Sequence, residues 1–415
     1  MTSYSQDMPK LRPVEPMQLS VQGRQVIALK DPLQLTEKML FVRRDTLPLL
    51  AMLDGKHSLR DIQANLTARA GRIVFLDEIQ AILAQLDESF LLEGDRFKNA
   101  FRQRTEAYRQ MPFRPFSHAG KSYKANPIEL RSELSSFFEP VNGGPGHPNF
   151  FSDPRRPVGI VAPHIDIRAG SRSFASAYHA LASGQPSDIY VIFGTGHAGV
   201  EALFTACSLD FQTPLGICHT DRELLDLLSE EMGQDAASEE MLHATEHVIE
   251  FQLVFLQYMF SDRHQLTILP VLCSFSHHIF DSHELLSEQR ETFELFCRAL
   301  KQACRKRSKS VCFVASADLD HIGPRYGDHF VPHRGTIEQA LEKDAELLYA
   351  LERMDVNYFI SGVAKDGDAR RICGFSPITA MMHCMEAHEG KLLSLDYAQV
   401  DDRSSFVSFA SMIFH

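Results

Sequence analysis

The sequence predicts an α/β protein: a mainly parallel central sheet with helices on both faces, preceded by a small winged-helix-like domain. Three observations carry that expectation. Residues 158–162, 188–193, 266–272 and 311–315 are apolar runs of strand length, nearly free of charge, as strands covered on both sides require. Segments of helical periodicity alternate with them, which implies parallel strands joined by crossover helices. Three of the four runs also deliver ionisable groups at their carboxyl ends, where an open α/β sheet collects its ligands. The first stops at Pro163 and presents His164, with Asp166 after it. The second runs through Gly194 and Gly196 to His197, and the fourth into Asp318, Asp320 and His321.

In chain order, residues 1–20 are polar and Pro-punctuated and read as a flexible lead. Residues 21–100 form an all-helical or winged-helix module. Within it a short helix at 46–54 closes at Gly55, and Ser58 caps a second helix with Asp61 in its first turn. A third helix over 77–89 carries Ile79, Ile82, Leu83 and Leu86 at helical spacing, and 90–97 is expected as a hairpin wing. The third helix bears Asp77, Glu78, Asp87 and Glu88, the wrong sign for reading DNA, so the module is expected to dock a protein or peptide. It resembles the small PqqD-like domains that present peptides to radical enzymes, which implies a radical-SAM system protein as its partner.

Residues 101–155 connect, with a break at Met111 and Pro112 and an amphipathic helix at 128–138. From 156 to 415 the α/β domain follows, with helices expected at 171–181, 221–231, 247–260, 284–305 and 337–354. The helix at 247–260 is apolar almost all round and should be buried, whereas the last two are amphipathic covers.

Composition bounds the function. A formal charge of −12 argues against a nucleic-acid partner, which needs a basic face to neutralise phosphates. The basic run at 305–309 is too short for that and suits a helix C-terminus. The first residues lack the pattern of a secretory signal, and no apolar run is long enough to span a bilayer. Eight cysteines without a Cys-x-x-Cys pair read as reduced thiols of a cytoplasmic protein, Cys373 among them as buried packing beside Gly374.

His247 opens the buried helix directly after Glu246. The positive end of the helix dipole there disfavours a protonated imidazole, so a neutral His247 suits a general base. Glu246 either stabilises the helix start or supports a site. Asp318 and Asp320 both stand at the end of the fourth run, and which of the two carboxylates joins the histidines is open at this point. His219, His243, His277, His278, His333 and His388 read as structural or surface residues.

These motifs together resemble the Memo family, component B of the AmmeMemoRadiSam set. The resemblance runs from about residue 113 to 415 and rests on Ser117 to Gly120 with Tyr123, Pro163-His164, Gly194 with His197, and Glu246 to Glu250. It continues through residues 268–272, Ser316 to Asp318 with His321, residues 372–374 with Pro377, and Asp396 to Ala398 with Ser408. It implies a fold similar to class III extradiol dioxygenases, with a metal held by two histidines and, in eukaryotic members, a cysteine. The histidines match His164 and His197, and the cysteine position is matched to Asp320.

Two imidazoles and a carboxylate suit a divalent transition metal, Fe(II) ahead of Cu, Zn or Mn, with positions open for substrate and dioxygen. Two functions follow. One is a non-haem, dioxygenase-like oxidoreductase with His247 as base and Glu246, Asp318 and His321 around the ligands. The other is a non-catalytic metal-binding or adaptor protein gripping a small molecule, peptide or partner in the cleft. The family's aromatic before Tyr123 is Ser122 here, the acidic residues before Glu246 are replaced by residues 243–245, and its second histidine after His197 is Ala198, so the substrate is not carried over.

Overall fold

The computed structural model describes residues 7–21, 24–31, 33, 35–36, 38–281 and 286–415. The chain divides into two compact units, one ending at Gln110 and one comprising Met111–His415.

In the first unit, β1 (Glu15–Val21), β2 (Arg24–Lys30) and β3 (Leu40–Arg43) form an antiparallel sheet in that order. After it come α1 (Leu47–Leu50), α2 (Leu59–Ala70), α3 (Leu76–Glu88) and α4 (Asp95–Arg109). The expected cap of α2 is present: Ser58 and Asp61 form a reciprocal capping box, which satisfies two N–H groups that the helix start leaves free. Ile62, Ile79, Leu83 and Leu86 are buried in this unit's core with Ile27, Leu29 and Val42.

The first unit departs from expectation at its start, in its class, at its wing and at its end. Residues 1–6 of the flexible lead lie outside the described residues, but Lys10 and Leu11 already bridge to Asp54 and Leu92, and β1 begins at Glu15. The module is not all-helical, because a sheet precedes its helices. The wing at 90–97 is absent: the chain turns at Phe90, Leu92 bridges to Leu11, and α4 begins at Asp95. That helix belongs to the first unit, which moves the boundary from 100 to 110.

The second unit opens with α5 (Pro127–Phe138), β4 (Gly159–Ala162), α6 (Ser171–Ser183) and β5 (Ile189–Thr195). Next are β6 (Phe204–Ala206), β7 (Phe211–Thr213), β8 (Gly216–Thr220), α7 (Arg222–Met232) and α8 (Val248–Phe260). They are followed by β9 (Thr267–Cys273), α9 (Ser287–Arg307), β10 (Val311–Ser316) and β11 (Asp318–Ile322). The chain ends with α10 (Arg334–Glu352), α11 (Val356–Ala364), α12 (Phe375–Cys384), β12 (Gly390–Gln399) and β13 (Phe406–Phe414). Residues 284 and 285, the expected start of the helix preceding β10, lie outside the described residues.

The large sheet has the order β11-β13-β4-β10-β5-β9-β8-β7, with β12 on β13 and β6 on β9. Its centre is parallel, as predicted: β4, β10, β5, β9 and β8 all run the same way. The flanking strands β6, β7, β11, β12 and β13 are antiparallel additions. Alternation along the strands sorts the two faces. Val191 and Phe193 of β5 and Phe313 and Ala315 of β10 share a core with α7, α9, α11 and α12. Tyr190 of β5 instead stacks on Phe260 of α8.

α8 is buried on all sides, as its sequence required. Its approach to the sheet depends on Gly194, where a Cβ would stand 2.2 Å from Val248 Cγ2. Phe255 at its middle stacks on Phe174 at 4.6 Å and on Tyr178 at 5.2 Å, fixing α6 against it. Truncation by Phe255→Ala should therefore cost about 3–5 kcal/mol in denaturant unfolding of this unit. A loss below about 1 kcal/mol would mean that α8 is not the packing centre of that face.

Candidate metal centre

β4, β10 and β5 are neighbours in the sheet, so their carboxyl ends open onto one short edge. His164 follows β4 by two residues and His197 follows β5 by two. Adjacent strands are about 4.8 Å apart, and imidazoles from strands on either side of a central one can meet across it. The rings of His164 and His197 lie 5.4 Å apart, centre to centre, and His247 stands 5.6 Å and 5.2 Å from them.

The third candidate donor beside the two imidazoles is not the one expected. His164, His197 and Cys373 offer ligand atoms that all lie within 4.8 Å of one another, and His164 Nε2 is 3.1 Å from Cys373 Sγ. Cys373 sits two residues before α12, on the arm that follows α11. Its carbonyl accepts from Thr195 Oγ1 at 2.8 Å, and the next N–H, of Gly374, donates to the Asp318 carbonyl at 2.8 Å. A Cβ at Gly374 would lie 2.4 Å from that same carbonyl oxygen, so the close approach needs glycine.

Asp320, matched above to the metal, faces elsewhere. Its Oδ1 lies 2.7 Å from Arg370 Nη1, which also holds Asp344 Oδ1 at 2.7 Å. The reason is local: Asp318 to His321 is not a loop but the start of β11, and its register against β13 shifts between Asp318 and His321. Such an irregularity re-aims side chains along a strand, and here it separates the two carboxylates. Asp318, the alternative, is the one beside the imidazoles. Its Oδ1 accepts from the His164 backbone N–H at 2.9 Å, and its Oδ2 lies 3.7 Å from His164 Nε2.

Hydrogen bonds engage one nitrogen of each ring. His164 Nδ1 donates to the Ser316 carbonyl at 3.0 Å, leaving Nε2 to face Cys373. Glu246 holds two rings at once, with His197 Nδ1 at 3.1 Å and His247 Nδ1 at 2.9 Å, and it also accepts the backbone N–H of each. A carboxylate on Nδ1 orients the ring and leaves Nε2 as the ligating or proton-accepting atom. The same group makes a second constellation, His197, Glu246 and His247, but these short contacts mark it as a hydrogen-bonded support. His321 stays outside both groups, its Nδ1 donating to the Leu319 carbonyl at 3.0 Å and its ring set edge-on to Tyr326.

Burial governs the charges. It holds His164 well below the ordinary histidine range, reinforced by His197 and His247, and it pushes the Cys373 thiol well above its usual value, with Asp318 adding to the rise. For Glu246 burial alone would raise the carboxyl, but the two imidazoles outweigh it and hold it well below the carboxylate range. Asp318 is lifted to about 6 by burial, against the N–H groups of His164 and Ile165. Two imidazoles, a thiol and a buried carboxyl form a donor set suited to a transition ion.

The motif at Ser117 and Tyr123 holds the wall behind His247. Glu250 of α8 is fully buried and receives the Arg114 guanidinium, the Tyr123 hydroxyl, and the backbone N–H groups of Ser117 at 3.0 Å and His118 at 2.9 Å. His118 is thereby set 5.5 Å from His247.

Among the described residues, no helix is long and apolar enough to cross a membrane. If Glu246 orients both rings, Glu246→Gln should weaken binding of a transition ion about 10- to 100-fold while circular dichroism stays unchanged. Unaltered affinity would show that His197 and His247 hold their places without it.

The Memo-like protein family model matches residues 114–413. A MEMO1 family protein of Aquifex aeolicus is 27% identical over 395 residues, covering 94% of this chain and 95% of that one. Relatives of the same description from Methanosarcina barkeri and Methanopyrus kandleri are each 29% identical, over 264 and 308 residues. They span 64% and 71% of this chain but 83% and 96% of their own lengths. Given the match over almost all of the second unit, and the motifs that build its site, the chain belongs to the Memo family.

Proposed function

We propose that this protein binds one divalent transition ion through His164 Nε2, His197 Nε2 and Cys373 Sγ, and that His247 moves a proton to or from a ligand held beside that ion. The observation that carries the reading is the convergence of two imidazoles and a thiol, each from a different element, within one ligand sphere. The carboxylate on which the expectation of Fe(II) rested is engaged by Arg370. With a thiolate in its place the donor set favours a borderline or soft ion, zinc or copper ahead of iron.

When bound, the ion supplies Lewis acidity and open positions for a chelating small molecule. His247 contributes a base: with Nδ1 bonded to Glu246, its Nε2 is the atom that accepts a proton, and Glu246 stabilises the imidazolium that results. Asp318 holds the His164 backbone and places a carboxyl next to the ligand sphere. His197, whose side chain is 42% exposed, marks the side from which a ligand enters.

Metal analysis of anaerobically purified protein, with dioxygen uptake followed over a panel of catechols, tests both halves. Close to one ion per chain, lost in His164→Ala and Cys373→Ala, supports the binding site, and substrate-dependent uptake abolished by His247→Ala supports catalysis. Ion binding without turnover would leave a non-catalytic metal protein, and no ion in the unaltered chain would remove the proposal.

Protonation offers a separate check. In the metal-free protein the Cys373 thiol keeps its proton and His164 is neutral, so binding an ion should release about one proton near pH 7.5, from sulfur. Protons compete for Sγ, so affinity should fall as pH falls. Calorimetry in buffers of different ionisation enthalpy should give about one proton for the native chain and close to none for Cys373→Ser; equal release by both would contradict thiolate ligation.

A further inference from the structure

The arm between α11 and α12 carries Cys373 without regular structure of its own, and two of its non-glycine residues, Asp368 and Arg371, adopt left-handed backbone at φ 53° and 55°. Such conformations are strained and persist only where surrounding contacts hold them. The contacts centre on Arg370. Its guanidinium is buried, and Nη1 lies 2.7 Å from both Asp320 Oδ1 on β11 and Asp344 Oδ1 on α10. Asp366 Oδ2 is 3.5 Å from Nε.

Ser408 of β13 completes the cluster, donating to Asp344 Oδ2 at 2.5 Å and accepting the Asp320 backbone N–H at 2.9 Å. The Arg370 carbonyl accepts from the His321 N–H at 2.7 Å, and Arg371 Nε returns to the His321 carbonyl at 2.9 Å. The arm is thus nailed to β11 and α10 three residues before the thiol, with Ser408 of β13 bracing both partners, and to Asp318 and Thr195 at the thiol itself.

We propose that Arg370, gripped between Asp320 and Asp344, is a positioning residue that presents the Cys373 thiol to His164 and His197. This rests on the metal-binding reading of the same site. A buried cation between two carboxyls is poor value as plain stabilisation, because desolvating these groups offsets much of their attraction. Its specific return is geometric: Nη1 bonded to two acceptors on different elements leaves the arm one place to lie.

Co(II) added to the full-length protein tests this, because a thiolate-to-Co(II) charge-transfer band reports the sulfur bond and d–d bands report the coordination geometry. The unaltered chain should show the charge-transfer band and Cys373→Ser should lack it. Arg370→Met, and separately Asp344→Asn as a gentler variant of the same volume, should keep their circular dichroism and bind Co(II) about 10- to 100-fold more weakly, with the charge-transfer band reduced or lost. Arg370→Lys, which restores the charge and one contact, should recover part of the band.

In the metal-free protein, alkylation of Cys373 should change rate in the Met and Asn variants, a readout independent of any ion and usable even if one variant folds poorly. A native band that persists unchanged in folded Arg370→Met and Asp344→Asn, with unchanged alkylation, would overturn this proposal alone. No Cys373-dependent band in the unaltered chain would overturn the metal reading and this proposal together.

Discussion

The backbone hydrogen bond from Gly374 to the Asp318 carbonyl is the contact on which the candidate centre depends. It joins the arm before α12 to the exit of β10, and only a residue without Cβ allows the two chains that close. From it follow the position of Cys373 against His164, the hydrogen bond from Thr195 to the Cys373 carbonyl, and the convergence of donors from separate elements. The sheet supplies the rigid half of this arrangement, since β4, β10 and β5 are paired in parallel and buried on both faces. The arm supplies the other half and must be held in place by side chains.

Two buried carboxylates divide the electrostatic work. Glu246 fixes His197 and His247 through Nδ1 and balances any positive charge they acquire, while Glu250 neutralises Arg114 and anchors the segment that carries His118 and Tyr123. Both lie at the start of α8, one turn apart, where the helix N-terminus favours negative charge. A buried acidic residue is costly without such partners, and here each has several. The same economy explains Asp320 and Asp344: burial raises both carboxyls, the proximity of Asp344 raises Asp320 further, and Arg370 is the cation that keeps the pair tolerable.

Much of the α/β unit was legible because uninterrupted apolar runs have few alternatives to buried strands. The parallel centre, the buried α8 and the meeting of His164, His197, Glu246 and His247 all followed from strand exits and one helix start. Cys373 escaped because its signal is tertiary: it lies on an irregular arm, and a thiol before Gly374 reads as packing. Asp320 misled because the family's cysteine position was matched to it, immediately before His321, and an irregular register within β11 is invisible in the residue pattern. The hairpin of β12 and β13 was not anticipated, and the sheet of the first unit went unread because its strands are partly polar, with little to mark them.

In the proposed centre sulfur, and not a carboxylate, completes the imidazole pair. X-ray absorption at the metal edge of the loaded protein tests it most directly. One sulfur scatterer at about 2.3 Å with two imidazole nitrogens at about 2.0–2.1 Å is the predicted first shell for zinc. A shell of nitrogen and oxygen alone, unchanged by Cys373→Ser, would contradict it.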